Sequence, residues 1–590
     1  MREPGAPPDE LKNWLRNTAI QLETAEPGAG FEDLTPLGEQ IGNARIVTIC
    51  EATHGTHEVH QFKHRMLEYL VLEHGFTTLV ITGSYSDSYS LFDYVRGVTE
   101  DAENALAQMR FWTLDAQELL NAVKWVRTYN DQPDLARKVM VYGCDSAHTS
   151  SAHRVVEYLQ RVDSDLAAEV RRSLLPIASD FGCSIFKGLT PETRADVESA
   201  VKAVTTALDR NATSWAEKTS SLDLARAQLA ARCLAQRMPL LQDASVAWEV
   251  KDGSTAENIG HILEMEGPDA RLVVWTHNGH GQRANWYPGH VSMGGRLDKR
   301  FKDDYFLIGT AVGSGEVLAV EPKTGLLNHF ALHAPPIGTL DAALAEVGPQ
   351  IFAVNWRVAP HEGLADTWLA AAPGSRCLGA EYSEDSETLT AIYADYGHPD
   401  EFFRNDPREC FDILVFFNQT TPARNNNELL PKRADPVPNS EPVNLDFADL
   451  DEGGIPAGWK AQSSRPPADQ AFEFTKDVAA MSRHGIPWYH GDGVLSFRLS
   501  ADRFRDRRIG LSADLSLKCD DQWSMAQLAI VAEDKSKAIL TATVVRVSED
   551  IVQSPQTVEL DVPSSTETVA LYLLLSGNGK AEFGKLKVYS

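Results

Sequence analysis

The sequence predicts an α/β fold with a mostly parallel sheet flanked by helices, followed by an all-β domain of the sandwich or jelly-roll type. Up to about residue 417, short apolar runs alternate with helical patterns, and strands separated by helices are typical of a parallel sheet. A Pro-rich stretch follows, and beyond it the apolar runs have strand length only. A chain of 590 residues is too long for one hydrophobic core, so we expect at least two domains.

The first domain contains seven apolar runs of buried-strand length. We expect strands at residues 46–50, 78–81, 139–143, 272–276, 305–309, 351–355 and 413–417. Helical patterns occupy residues 9–21, 115–129, 153–161 and a long stretch from about 191 to 238. We expect this domain to span residues 1–428.

A Pro-rich linker at 429–443 leads into the second domain, at 444–590. This domain has seven strand-like runs and no helical pattern. Alternating apolar and polar residues within several runs are typical of half-buried strands. The runs lie at residues 494–499, 509–517, 525–531, 539–547, 557–562, 569–575 and 581–588.

The composition narrows the class of partner. A formal net charge of -28 and a sequence pI near 5.0 disfavour binding to nucleic acid or to an anionic membrane, so the expected partner is a small molecule. The N-terminus lacks the apolar core of a signal peptide, and no window approaches the ~18 apolar residues of a membrane span, so we expect a cytoplasmic protein. Seven scattered cysteines without a Cys-x-x-Cys motif argue against a disulfide framework and a cysteine-rich zinc site.

Polar side chains cluster where the predicted strands of the first domain end. The carboxyl ends of parallel strands open onto one crevice, so we expect these groups to converge. A neutral imidazole can take a proton from water and return it to a leaving group, and a nearby carboxylate can fix its tautomer. The converging residues are Glu51, His54, Thr82, Asp145, His277 and His280.

Two other kinds of site fit the sequence less well. His57, His60 and His64 have helical spacing, but His-Glu-Val-His is one residue short of the zinc pattern His-Glu-x-x-His, so we expect solvated or supporting histidines. No Gly-x-Ser-x-Gly elbow is present, which favours a water activated by histidine over a serine nucleophile. We therefore expect no metal and no cofactor.

Two motifs resemble signature sequences of the erythromycin esterase family, which includes proteins of the succinoglycan biosynthesis type. They are the turn Glu51-Ala-Thr-His-Gly-Thr-His-Glu58 and Trp275-Thr-His-Asn-Gly-His280. The likeness runs in order over roughly residues 10–425. It implies hydrolysis of a macrocyclic lactone or related ester by histidine-activated water, without a tightly required metal. His54 would be the general base and Glu51 its partner carboxylate, while the histidine pair His277 and His280 would orient the substrate carbonyl and the water.

The resemblance also marks residues expected to bind substrate, with three departures from the family pattern. Cys50 stands where the family usually has Gly, Lys63 where it usually has Arg, and Thr82 where it usually has Glu. Lysine lacks the bidentate fork of arginine, and Arg65 is a candidate to take over that function. Asp87 or Asp145 could replace the carboxylate absent from position 82. The expected substrate-binding residues are Glu58, Lys63, Arg65, Thr82 and Asp145.

Three functions remain open. The first is a hydrolase of a large ester or lactone from secondary metabolism, in antibiotic resistance or biosynthesis. The second is a tailoring enzyme for natural products or polysaccharides that uses the same site for acyl transfer, cyclisation or elimination. The third is an inactive binding or scaffold protein. The second domain resembles carbohydrate-binding-type jelly rolls at Leu445-Asp-Phe447 and Gly458-Trp459, although a scaffold or oligomerisation role fits it equally well.

Overall fold

Two compact units make up the protein in a computed structural model. The first comprises residues 1–147 and 245–432, and the second comprises residues 148–244 and 433–590. The structure describes residues 5–133, 135, 137–148, 150–243, 246–285, 289–394, 398, 400–427, 435, 437–463, 470–484 and 492–590.

The helical segment 148–244 groups with the C-terminal strands, whereas the sequence-based boundaries assign it to the first domain. A linear sequence pattern cannot reveal this grouping, because the chain returns to the α/β unit after the segment. Residues 429–434 and 436 of the predicted linker 429–443 lie outside the described residues. Among the described residues, no helix combines the length and the hydropathy that crossing a membrane requires.

The first unit is built on a mixed, mostly parallel sheet, as predicted. Its order is β1-β8-β11-β6-β2-β5-β3-β4, and β7 pairs antiparallel with β6. The six strands from β11 to β4 in this order are parallel, and β8 and β1 add an antiparallel edge. A separate pair is formed by β9 and β10. The strands are β1 (Ile20–Gln21), β2 (Ile46–Glu51), β3 (Thr78–Ser84), β4 (Met140–Asp145), β5 (Leu272–His277), β6 (Tyr305–Val320), β7 (Leu327–Leu332), β8 (Ile351–Asn355), β9 (Gly374–Arg376), β10 (Phe402–Arg404) and β11 (Ile413–Thr420).

Strands β2 and β5 are buried along their whole length and lie side by side. Their parallel register pairs Glu51 with His277, so the two polar turns that follow these strands begin at the same level of the sheet. The helices of this unit are α1 (Asp9–Thr18), α2 (Thr35–Ile41), α3 (His57–His74), α4 (Tyr89–Val95), α5 (Ala102–Ala107), α6 (Gln117–Asn130), α13 (Ala247–Glu266), α14 (Asn278–Gly281), α15 (Met293–Phe301), α16 (Leu340–Ala345), α17 (Gly363–Ala370), α18 (Ser386–Ala394) and α19 (Pro407–Cys410).

Helix α3 begins after Thr56 and ends at Gly75, whose φ of 67° closes the helix in the left-handed conformation that glycine adopts easily. Its apolar residues, among them Val59 and Phe62, face the core. Several charged residues of the helix are buried as well, so it is not a surface helix with one wet face. Such burial requires that each charge has a partner.

The second unit combines helices with an antiparallel β-sandwich, and the predicted all-β architecture of the C-terminal region is confirmed. Its two five-stranded sheets have the orders β12-β15-β20-β17-β18 and β13-β14-β21-β16-β19, with one apolar core of buried residues. The predicted long helical stretch is three helices, α10 to α12. The elements are α7 (Ser150–Val162), α8 (Ser164–Leu174), α9 (Asp180–Ile185), α10 (Pro191–Arg210), α11 (Ala212–Lys218), α12 (Ser221–Gln242), β12 (Trp459–Ser463), β13 (Gln470–Thr475), β14 (Val478–Arg483), β15 (Asp492–Ser500), β16 (Arg508–Cys519), β17 (Met525–Glu533), β18 (Ile539–Val547), β19 (Ile551–Asp561), β20 (Thr568–Ser576) and β21 (Gly579–Tyr589).

Candidate active site

A cleft of about 230 Å³ lies at the carboxyl ends of β3, β4 and β5 in the first unit. His54, His277 and His280 line it together, so the two histidine motifs converge. The position agrees with the rule that ligands of parallel sheets bind beyond the carboxyl ends of the strands. Aromatic side chains form much of the remaining wall: Phe111, Trp112, Trp248, Tyr393 and Phe403.

The turn after β2 holds a buried carboxylate between a histidine and a lysine. Oε1 of Glu51 lies 3.1 Å from Nδ1 of His54, and Nζ of Lys63 donates a hydrogen bond to Oε2. Nε2 of His60 donates to the backbone carbonyl of His54 at 2.8 Å and so fixes the turn. The ammonium of Lys63 also lies 5.0 Å from the centre of the Trp275 ring. This lysine therefore acts on the cleft through Glu51.

The electrostatics of this group keep Glu51 ionised. Burial alone would raise the pKa of Glu51, but the charge of Lys63 and the hydrogen bond from His54 outweigh it and hold the pKa well below the usual 4.5. A carboxylate can only accept hydrogen bonds, so Nδ1 of His54 carries the shared hydrogen. Proton exchange with a molecule in the cleft then takes place at Nε2.

His277 is held by backbone groups on both ring nitrogens. Nε2 donates to the carbonyl of Leu378 at 2.8 Å, and Nδ1 accepts from the N–H of Gly279 at 3.2 Å. These bonds fix one neutral tautomer, and burial lowers the pKa of His277 well below 6.5. Its ring centre lies 4.5 Å from that of His54. His277 is therefore suited to be part of the cleft wall that supports the ring of His54.

His280 is paired with a second buried carboxylate. Nδ1 of His280 lies 2.6 Å from Oδ1 of Asp252, and Nε2 of His290 lies 2.7 Å from Oδ2 of the same residue. Burial works against ionisation of Asp252, yet the two histidines keep its pKa well below 3.8. The cleft therefore contains two separate carboxylate–histidine pairs.

Three of the four histidines of α3, at positions 57, 60 and 64, have different surroundings. Nδ1 of His57 lies 2.6 Å from Oε1 of Glu118, and this hydrogen bond raises the pKa of His57. His60 bonds the turn, as described above. Burial lowers the pKa of His64 to about 4, so this residue is a neutral core histidine. None of the three lines the cleft as far as the described residues show.

The predicted substrate-binding residues separate into two groups. Thr82 and Asp145 line the cleft, and Thr82 donates its hydroxyl hydrogen to the carbonyl of Trp275 at 3.1 Å. Glu58 instead accepts hydrogen bonds from the backbone N–H and the hydroxyl of Thr421, at 2.8 and 2.7 Å.

Arg65 points to a different part of the unit from Lys63. It is 1% exposed and binds Oδ1 and Oδ2 of Asp33 at 2.6 and 3.0 Å, so it does not substitute for Lys63 beside Glu51. Cys50, another departure, and Asp87, a candidate for the missing carboxylate, also have defined contacts. Cys50 packs against Gly281, where a Cβ would collide with its sulfur, and Asp87 pairs with Arg110 at 3.5 Å.

Sequence reasoning gave no role to Asp252 or His290, although both are buried beside the cleft. A charged residue at a buried position of an otherwise well-formed helix would have been the signal for Asp252, since such charges need a partner. His290 follows a stretch without a clear pattern and offered no signal. The aromatic side chains that line the cleft come from four separate parts of the chain, so no local sequence pattern marks them as one wall.

Comparison with known proteins relates most of the first unit, together with the helical segment 148–244, to one family. The profile of the family described as "Erythromycin esterase" matches residues 71–420. "Erythromycin esterase type II" of Escherichia coli is 21% identical over 381 residues, covering 60% of this chain and 90% of that protein.

Two solved structures have a similar fold. A Bacillus cereus protein is 26% identical with a TM-score of 0.62, covering 71% of this chain and 99% of that one. A succinoglycan biosynthesis protein is 22% identical with a TM-score of 0.60, covering 70% and 98%.

Proposed function

The chain belongs to the erythromycin esterase family, and from this premise we propose that it hydrolyses an ester or macrocyclic lactone with a water molecule activated by His54. The observation that carries the proposal is the pair of Glu51 and His54 at the edge of the cleft. A histidine backed by an ionised carboxylate is suited to take a proton from water at neutral pH.

In the proposed reaction, Nε2 of His54 accepts a proton from water while the water oxygen attacks the acyl carbon. The carboxylate of Glu51 holds the hydrogen on Nδ1 and stabilises the imidazolium that forms. Lys63 keeps Glu51 ionised in its buried position. His277 supports the ring of His54 and does not exchange protons, because backbone groups occupy both of its nitrogens.

The walls of the cleft favour a substrate that combines apolar surface with polar groups. Aromatic side chains offer broad contact surfaces, and polar groups stand among them, including Thr82, Asp145 and Lys251. A macrocyclic or glycosylated secondary metabolite has this mixture of apolar surface and scattered oxygens.

A panel of lactones and esters tests the proposal. The wild type and His54→Ala are incubated with each compound in ¹⁸O-labelled water, and products are followed by mass spectrometry. We expect ¹⁸O in the carboxylate product of the wild type and a loss of at least about 10²-fold in rate for His54→Ala. The control is His361→Ala, an exposed histidine in a loop, which should keep the wild-type rate.

Other outcomes point to the other two functions. Isomerised, dehydrated or transferred products without ¹⁸O, lost in the same variant, would contradict hydrolysis and favour a tailoring enzyme. Thr82 gives that alternative its support, since the cleft has a neutral hydroxyl at the position where the family pattern usually has Glu. Tight ligand binding with no turnover by the wild type would indicate a binding protein.

A further inference from the structure

His280 and His290 share the carboxylate of Asp252, one on each oxygen. The two contacts measure 2.6 and 2.7 Å. Asp252 and His290 are 1% and 3% exposed, whereas His280 lines the cleft. On its far side, Nδ1 of His290 lies 3.2 Å from Oε2 of Glu249, a residue with an exposed side chain. The four groups thus form a chain from the cleft wall to the surface.

The chemistry of this chain fixes the direction of its hydrogen bonds. An ionised carboxylate accepts and cannot donate, so both imidazoles donate to Asp252. The hydrogen on Nδ1 of His280 is then committed to Asp252, and proton exchange with substrate takes place at Nε2. His290 donates from Nε2 to Asp252 and has a second carboxylate, that of Glu249, beside Nδ1, so it is held between two acidic groups.

We propose that Asp252, held by His290, is a positioning residue that orients His280 as the proton donor to the leaving group. The inference rests on the proposed hydrolysis. His54 takes one proton from water as the new C–O bond forms, and the bond between the acyl carbon and the leaving oxygen then breaks. That oxygen receives the proton from Nε2 of His280. One proton then passes from the imidazolium of His54 to the neutral His280 through solvent, which restores both residues.

The variant Asp252→Asn tests the positioning role directly. The amide has one acceptor oxygen for two imidazole donors, so one of the histidines must change its tautomer or lose its bond. We expect kcat to fall by about 10²-fold or more with KM changed less than about threefold, because the lost interaction acts on a proton transfer. Nitrogen-15 NMR of histidine-labelled protein should show His280 leaving the Nδ1–H form.

Two substitutions of His290 distinguish positioning from simple packing. His290→Gln keeps an N–H that can reach Asp252, and we expect it to retain most of the wild-type kcat. His290→Leu keeps bulk but removes the donor, and we expect a lower kcat and a shifted pH–rate profile. Rescue by glutamine but not by leucine supports the proposal. Equal kcat and equal pH profiles for both variants would overturn it, even if Asp252→Asn failed to fold.

Glu264→Gln is the matched control. Glu264 lies on the same helix, α13, and its carboxylate is also shared between two side chains: it is 3.4 Å from His261 and 2.9 Å from Arg300. It lies outside the cleft lining, and we expect its kcat and the His280 tautomer to be unchanged.

The readouts separate this inference from the proposed function. A wild type that hydrolyses no compound of the panel would contradict hydrolysis, whereas a tautomer change of His280 in Asp252→Asn would still support positioning by Asp252. Hydrolysis by the wild type together with an unchanged tautomer and kcat in Asp252→Asn would overturn the inference alone.

Discussion

The two carboxylate–histidine pairs of the cleft differ in how the carboxylate is neutralised. Glu51 and His54 lie three residues apart in one turn, and the second partner of Glu51 is a lysine, a permanent cation at physiological pH. Asp252 and His280 come from separate helices, and the second partner of Asp252 is another histidine. A lysine fixes the charge of its pair, whereas a histidine can titrate near neutral pH.

This difference suits the two roles that we propose. A general base must be a neutral imidazole before it takes the proton. The Glu51–Lys63 ion pair places a fixed arrangement of charges beside His54. A donor needs a ring nitrogen that is free to face the leaving group, and the contact of Nδ1 with Asp252 leaves Nε2 of His280 for that exchange. The following variants test that contrast, in decreasing order of the effect that we expect.

Glu51→Gln should have the largest effect, because it removes the charge behind the base and leaves Lys63 buried without its partner. We expect kcat for ester or lactone hydrolysis to fall by about 10³-fold. The double variant Glu51→Gln/Lys63→Met removes both charges and is the control for folding. If it regains stability but not activity, the charge of Glu51 is needed for the chemistry; a single variant with near-wild-type kcat would contradict the role of the pair.

Lys63→Met should mainly lower stability, by about 3–5 kcal/mol, because it leaves a buried carboxylate without a cation. In the wild type the pKa of Glu51 is below its unfolded value, so its contribution is present above about pH 4.5 and is lost as the pH falls towards the folded value. In the variant, burial raises the pKa of Glu51, and stability should instead fall as the pH rises.

Urea unfolding between pH 4 and pH 8 measures both signs. Lys124→Met is the control, since Lys124 pairs with Glu103 at the surface and its loss should change the free energy of unfolding by under about 1 kcal/mol. An equal and pH-independent effect of the two substitutions would contradict the account of the buried pair.

Thr82→Glu should have a smaller effect on rate. A carboxylate in the cleft wall stabilises the imidazolium formed during proton transfer, and we expect kcat for hydrolysis to rise by about 10-fold. Thr82→Val removes the hydrogen bond to Trp275 without adding charge and serves as the control. No gain with Glu, or an equal gain with Val, would show that this position does not act through charge.

His57→Asn should have the smallest effect and none on kcat. The bond to Glu118 raises the pKa of His57, so the ion pair contributes to stability below about pH 6.5 and the contribution is lost as the pH rises through the folded pKa. His57 is partly exposed, so we expect only about 0.5–1 kcal/mol at pH 5.5 and nothing at pH 9 by thermal unfolding. A loss that persists at pH 9 would reflect packing.

The fold was predictable wherever burial repeats with a regular period. The strand 351–355 has the predicted bounds, and the strands beginning at 46, 78, 272, 305 and 413 begin where expected but run one to eleven residues longer. The excess is greatest in β6, because its second half is stabilised by pairing with β7 and β11, which a local pattern does not reveal. The grouping of the helical segment 148–244 with the sandwich could not be predicted either, because a local pattern does not show which distant segments pack together.

For the site, the sequence predicted that Glu51, His54, His277 and His280 lie where buried strands end, because strand ends and polar turns are local features. What each of these side chains contacts depends on tertiary packing. Arg65 forms an ion pair with Asp33, and Lys63 forms one with Glu51, although the two basic residues are two positions apart on one helix. The tertiary structure also brought Asp252 to His280, because the partner of a buried charge is chosen by packing across the whole chain and not by distance along it.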